Sequence, residues 1–140
     1  MTNIVTTEWQ NDMVFESDNS SGHKIKIDTE QEFGGTNSGL RPKELMLTSL
    51  SGCTALDVAS LLKKMKVTLD DFKIITTGEL TDEHPKHFHK VKVDYHFYGK
   101  EMNEKKIEKA VNLSIERYCG VFKMFRQFAE VKTTIHLHEK

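Results

Sequence analysis

The 140-residue sequence lacks several features that mark specialised classes of protein. Its 20 basic and 21 acidic side chains leave no surplus of positive charge, so we expect no nucleic-acid partner. It has no run of roughly 18 apolar residues, and Met1–Glu8 is neither basic nor strongly apolar, so we expect no membrane partner and no secretory signal. Two cysteines are too few for a disulfide scaffold. These absences predict one cytoplasmic domain over residues 1–140, and they direct attention to the two thiols.

The hydrophobic pattern predicts an α+β fold. Alternating apolar and polar residues predict N-terminal strands within residues 1–30. Residues 42 to about 65 are apolar on almost every face, which predicts a long central helix, and residues 72–138 are predicted to hold further strands and helices. The predicted order, β-β-β-α-β-β-α-α-β, is typical of antiparallel strands around a long helix. Gly52, inside that helix, indicates that another backbone or a substrate comes close there.

The two cysteines are the first candidates for chemistry. Cys53 lies midway along the predicted central helix, and Cys119 lies where one helix is predicted to end and a short one to begin. At a helix N-terminus, Cys119 would be favoured as a thiolate. Asp57, one turn after Cys53, would disfavour a thiolate if it faced the same pocket. The residues alone leave two interpretations open: a reactive pair, in which one thiol attacks and the other resolves, or two inert buried cysteines.

Histidines and an ion pair are the other candidates. A zinc site needs three or four converging ligands, and no carboxylate or cysteine at matching spacing completes the histidine pattern, so we expect no metal. The histidines considered are His84, His87, His89, His96, His136 and His138. Arg41 and Glu44 flank Pro42 at the predicted start of the central helix, where they form either part of a site or a surface ion pair.

Two segments resemble a known family. Residues 42–47 (PKELML) and 50–58 (LSGCTALDV) are similar to the P-x-E-L…G-C helix of the OsmC/Ohr family, the osmotically induced and organic-hydroperoxide-resistance proteins. Residues 118–121 (YCGV) fall where that family carries its second cysteine. The resemblance covers most of the chain. It implies an OsmC-like intertwined homodimer, in which antiparallel sheets wrap around long central helices.

The resemblance also implies a reaction. Cys53 corresponds to the peroxidatic cysteine and Cys119 to the resolving one. We assign Arg41 and Glu44 separately as electrostatic supports, since a cation near Cys53 would offset the cost of its burial in an apolar helix. The implied activity is thiol-dependent reduction of an organic hydroperoxide in an apolar pocket at the dimer interface, with an external dithiol reductant and no cofactor. The alternative is a non-enzymatic binding or redox-sensing protein that uses the same pocket. The alternative is favoured by the lack of any arginine before Arg41, since the family usually has one in an N-terminal loop.

Overall fold

The computed structural model describes residues 1–139, which divide into an N-terminal unit, Met1–Met46, and a C-terminal unit that starts at Leu47. The strands and helices follow one another in the order that the hydrophobic pattern predicts. The α+β class is therefore confirmed.

The N-terminal unit is a three-stranded antiparallel sheet followed by a loop. Its strands are β1 (Thr6–Asn11), β2 (Val14–Asp18) and β3 (Lys24–Ile27), in the order β1-β2-β3. After β3 the buried carboxylate of Asp28 accepts hydrogen bonds from backbone or hydroxyl groups of three loop residues, Thr29, Thr36 and Ser38. This one side chain therefore organises the loop that precedes the long helix.

A mixed sheet and a long helix form the C-terminal unit. Helix α1 spans Pro42–Lys64, and most of it belongs to this unit. The sheet has the order β4-β5-β6, with strands Asp71–Leu80, Phe88–Gly99 and Glu130–Glu139. Strands β4 and β5 pair antiparallel, but β5 and β6 pair parallel. The expectation of purely antiparallel sheets is thus wrong for β6, because the helical segment between β5 and β6 is long enough to serve as a crossover.

That crossover contains two α-helices joined by a wider turn. Helix α2 spans Glu104–Leu113, with Asn103 as its N-cap, and helix α3 spans Gly120–Arg126. Between them Ser114–Tyr118 forms one π-helical turn, where the sequence predicted that the α-helix would continue to Tyr118. The amide N–H of Cys119 donates to the carbonyl of Ser114 at 2.8 Å, which closes this wider turn. Single π-helical turns of this kind often occur at functional sites.

The core of the C-terminal unit lies between α1, β5 and the crossover helices. Its fully buried side chains include Leu50 and Val58 from α1, Val93, Tyr95 and Phe97 from β5, and Ile107 and Phe122 from the crossover. Length and mean hydropathy alone would let α1 cross a membrane, although core helices of soluble proteins pass the same test. Only four residues of α1 are buried, so packing within the single chain does not explain why the rest of this helix is apolar.

Candidate functional site

The fold brings the two cysteines together. Cys53 is partly buried on α1, Cys119 is buried in front of α3, and both thiols are free. Their sulfur atoms and a carboxylate oxygen of Asp57 all lie within 4.8 Å of one another. A disulfide needs an S–S length of about 2.05 Å, so the two sulfur atoms would have to move closer together to form the bond.

Cys119 is held as a thiol. Burial raises its pKa to about 12, and the hydrogen bond to Cys53 and the charge of Asp57 act in the same direction. The N–H of Phe122 donates to the Cys119 sulfur at 3.3 Å and opposes the shift. The prediction that the start of α3 favours a Cys119 thiolate is therefore wrong. The N–H of Phe122 offsets only part of the cost of ionising a buried thiol that lies beside Cys53 and Asp57.

Asp57 ends a chain of buried hydroxyl groups. The hydroxyl of Ser114 donates to Asp57 Oδ2 at 3.0 Å, and it lies 2.7 Å from the hydroxyl of Thr54. Thr54 is in turn 2.8 Å from the Tyr95 hydroxyl. Since the one hydroxyl proton of Ser114 is committed to Asp57, Thr54 must donate to Ser114 and Tyr95 to Thr54. Burial raises the pKa of Tyr95 to about 12, which keeps this phenol protonated and able to donate.

Arg41 and Glu44 lie in the N-terminal unit. The Arg41 side chain forms an ion pair with Glu30 at 3.2 Å and donates to Asn37 and to the carbonyl of Gly39. Glu44 lies in the first turn of α1, where an acidic side chain suits the helix dipole. Their supporting role for Cys53 stays a prediction.

The histidines form two separate sets. His84, His87 and His89 line an open depression beside the β4–β5 turn. His96, His136 and His138 lie on neighbouring strands with their rings stacked, and His136 contacts Asp94 at 2.9 Å. Among residues 1–139, the group in which three potential metal ligands converge is Cys53, Asp57 and Cys119, and no set of histidines does so.

Comparison with known proteins establishes the family. A family model described as OsmC-like protein matches residues 35–134. The chain belongs to the OsmC-like family. This OsmC-like protein is 29% identical over 127 residues to Protein YhfA of Escherichia coli K12, which covers 89% of this chain and 90% of YhfA.

Solved structures agree with that assignment. A hypothetical protein from Aquifex aeolicus VF5 superposes with a TM-score of 0.86 at 31% identity, over 100% of this chain and 98% of the other. The organic hydroperoxide resistance protein OhrB of Bacillus subtilis superposes with a TM-score of 0.65 at 18% identity, over 96% and 98% of the two chains. The second likeness shows that this OsmC-like protein shares the fold of a hydroperoxide resistance protein.

Sequence reasoning missed the hydroxyl chain of the OsmC-like site. Thr54 and Ser114 are fully buried, and each stands among apolar neighbours in a helical segment. A polar residue in such a position is itself a signal, because a buried hydroxyl needs a hydrogen-bond partner. Asp57 does lie beside Cys53, with a carboxylate oxygen within 4.8 Å of the Cys53 sulfur.

Proposed function

We propose that this OsmC-like protein reduces organic hydroperoxides through Cys53 and Cys119. The observation that carries the proposal is that two residues 66 positions apart in the sequence have their sulfur atoms within 4.8 Å. The different surroundings of the two thiols support different roles. Cys53 is the more accessible, and Cys119 is buried and protonated, which suits a thiol that acts second.

The reaction has two balanced steps. The Cys53 thiolate attacks the distal peroxide oxygen, the O–O bond breaks, and the leaving alkoxide takes a proton to become the alcohol. Cys53 is then a sulfenic acid. The Cys119 sulfur attacks the Cys53 sulfur, a disulfide forms, and hydroxide leaves with the thiol proton as water. An external dithiol returns both cysteines to thiols and is itself oxidised to a disulfide, and no cofactor takes part.

Arg41 and Glu44 are proposed to support this chemistry through their charges. Arg41 is fixed by Glu30 and Asn37, so a change at Arg41 or at these partners would alter the loop before α1. We expect Arg41→Lys to keep more peroxidase activity than Arg41→Ala, because lysine retains the positive charge. It should keep less than the wild type, because lysine lacks the planar set of donors of arginine.

A homodimer is the proposed assembly. Gly52, Leu56 and Ala59 share one face of α1, all three are exposed, and 75% of the Leu56 surface is accessible. Apart from its chain neighbours and the adjacent backbone of α1, no described atom lies within 4 Å of the position that a Gly52 Cβ would occupy. A second copy of α1 packed on this face would supply the close approach that Gly52 indicates, and it would account for an apolar helix that the single chain leaves largely exposed.

Sedimentation in buffer without detergent tests the assembly. We expect a dimer for the wild type and a monomer, or a dimer at least tenfold weaker, for Leu56→Asp, because a carboxylate would be buried at the contact. The matched control is Asn112→Asp, which adds the same charge at an exposed position of α2. A monomeric wild type, or a wild type that stays dispersed only in detergent, contradicts the proposal.

Peroxide consumption tests the activity. Reduced protein with tert-butyl or cumene hydroperoxide and dithiothreitol should turn over, and Cys53→Ser should abolish turnover. Without dithiothreitol, reduced Cys119→Ser should consume one equivalent of peroxide and then stop, with a sulfenic acid at Cys53 that is trapped by dimedone. Because the chain has only two cysteines, each variant retains a single thiol and the trapped adduct is assigned without ambiguity. A wild type that is inactive with several dithiols, and whose Cys53 resists alkylation at neutral pH, would instead support the binding-protein alternative.

A further inference from the structure

The cysteine site contains a third potential ligand that peroxide chemistry does not require. Asp57 lies one helical turn after Cys53 on α1, so both side chains project from the same face of the helix. Cys119 comes to this face from the start of α3. Two sulfur atoms and one carboxylate oxygen therefore converge within 4.8 Å, from two separate elements of the C-terminal unit.

We propose that the reduced protein binds one Zn²⁺ ion through Cys53, Asp57 and Cys119. Zinc is bound by cysteine sulfur at about 2.3 Å and by carboxylate oxygen at about 2.0–2.2 Å. Ligand atoms around a tetrahedral ion at those lengths lie about 3.5–4 Å apart, which the present spacing reaches with small side-chain movements. Three protein ligands leave the fourth position to water, which can enter because Cys53 and Asp57 are only partly buried.

The hydroxyl chain behind Asp57 has the form of a supporting shell. Ser114 donates to Oδ2 of Asp57 and is held in turn by Thr54 and Tyr95. A hydrogen bond that fixes one oxygen of a ligating carboxylate orients the other, and such outer partners tune metal affinity in known sites. The chain is fully buried at Thr54, Ser114 and Tyr95, so the orientation of Asp57 is set before any ion arrives.

The donor set selects for a thiolate-binding divalent ion. Two sulfur donors favour zinc over magnesium or calcium, which take oxygen ligands. Binding displaces the thiol proton of Cys119, and affinity should rise by about tenfold per pH unit for each proton displaced. The site escapes a search for metal motifs in the sequence because Cys119 is 62 residues beyond Asp57 and only the fold joins them.

Zinc binding does not depend on peroxide reduction, but the two uses of the site exclude each other. A zinc ion on both sulfur atoms blocks attack on a peroxide, and a disulfide removes two of the three ligands. Metal binding is therefore measured on reduced protein without peroxide, and peroxidase activity is measured with a chelator present.

Titration of the reduced full-length protein with Zn²⁺, and with Co²⁺ as a spectroscopic probe, tests the proposal. We expect one ion per chain, and we expect Co²⁺ to give the near-ultraviolet charge-transfer absorption of a cobalt–thiolate bond. Cys53→Ser and Cys119→Ser should each lose that absorption in part and bind at least a hundredfold more weakly. Asp57→Asn, which keeps the size of the side chain, should bind at least tenfold more weakly, and Ser114→Ala about tenfold more weakly.

The stacked histidines provide the matched control. His138→Gln removes a ring from that set, which lies on β5 and β6 rather than on α1 and α3, and it should leave zinc affinity unchanged. Circular dichroism of each variant separates lost binding from lost folding. Cys53 is only partly buried whereas Cys119 is buried, so the Cys53 variant is the less disruptive of the two cysteine changes. Absence of binding to the folded wild type, binding without thiolate absorption, or binding that is lost in His138→Gln would each overturn the proposal.

Discussion

Replacing Thr54 with valine tests the direction of the buried hydroxyl chain. Valine has nearly the same shape as threonine but no hydroxyl, and residue 54 is completely buried, so water cannot take the place of the lost group. The change removes the acceptor of the Tyr95 proton and the donor to Ser114. Ser114 still donates to Asp57, so the change acts on one end of the chain.

The magnitude follows from what each group loses. A buried Tyr95 hydroxyl without an acceptor costs about 1–3 kcal/mol, and the lost bond between residues 54 and 114 costs about 0.5–1.5 kcal/mol. Thr54→Val should therefore lower the free energy of unfolding by about 2–4 kcal/mol. Tyr95→Phe removes the donor itself and leaves the bond from Thr54 to Ser114 in place, so it should cost only about 0.5–1.5 kcal/mol. In the double variant no phenol is left without an acceptor, and the loss should be about 1–2 kcal/mol smaller than the sum of the single losses.

Equilibrium unfolding in guanidinium chloride measures these differences. All variants are compared at one protein concentration, because the stability of a dimer depends on concentration. A change of midpoint at constant slope reports stability alone. If Thr54→Val costs no more than Tyr95→Phe, or if the two effects add, Tyr95 does not donate to Thr54 and the assigned direction of the chain is wrong.

Three further predictions concern titratable groups. In a Cys53→Ser background, Asp57→Asn should lower the pKa of Cys119, since the nearby negative charge is gone. Ultraviolet titration of the single remaining thiol measures this pKa. An unchanged titration curve would contradict the effect assigned to Asp57. The N–H of Ser38, with other loop donors, holds the pKa of Asp28 well below its usual range. The Asp28 carboxylate therefore stabilises the fold fully above about pH 4, and this stabilisation is lost as the pH falls further. Asp28→Asn should make the stability of the protein depend less on pH in this acid range. Burial, together with His136 and His138, lowers the pKa of His96, so this residue costs the fold no stability above about pH 6.5 and destabilises it at lower pH. His96→Gln should therefore reduce the loss of stability between about pH 7 and 5. A stability profile as steep as that of the wild type would refute the assignment.

Local patterns in the sequence were enough to predict most elements of the fold. The order of strands and helices and the long helix from Pro42 both follow from hydrophobic periodicity, which acts over a few residues. The parallel pairing of β5 with β6 does not, because a strand pattern carries no direction relative to its partner. The π-helical turn at Ser114–Tyr118 was also missed, since its residues have ordinary helical character and the wider turn depends on tertiary contacts.

The candidate site was predicted only as far as its residue types allow. Cys53 and Cys119 stand out because the chain has no other cysteine, and Asp57 because it lies one turn from Cys53. Their convergence depends on the crossover that carries Cys119 back to α1, which no spacing in the sequence encodes. The state of Cys119 was predicted wrongly for a related reason: the helix start was visible in the sequence, whereas its burial beside Cys53 and Asp57 was not.

The surroundings of Cys119 also give the proposed reaction its order. While Cys53 is reduced, Cys119 remains a thiol because burial, the hydrogen bond to Cys53 and nearby negative charge all oppose its ionisation. On the proposed pathway, peroxide converts Cys53 into a neutral sulfenic acid, which removes the charge that Cys53 can carry. Two of the effects that hold the pKa of Cys119 high are then weakened, so Cys119 ionises more easily only after its target has formed. The same contact that keeps the second thiol inactive would thus release it at the step where a nucleophile is needed.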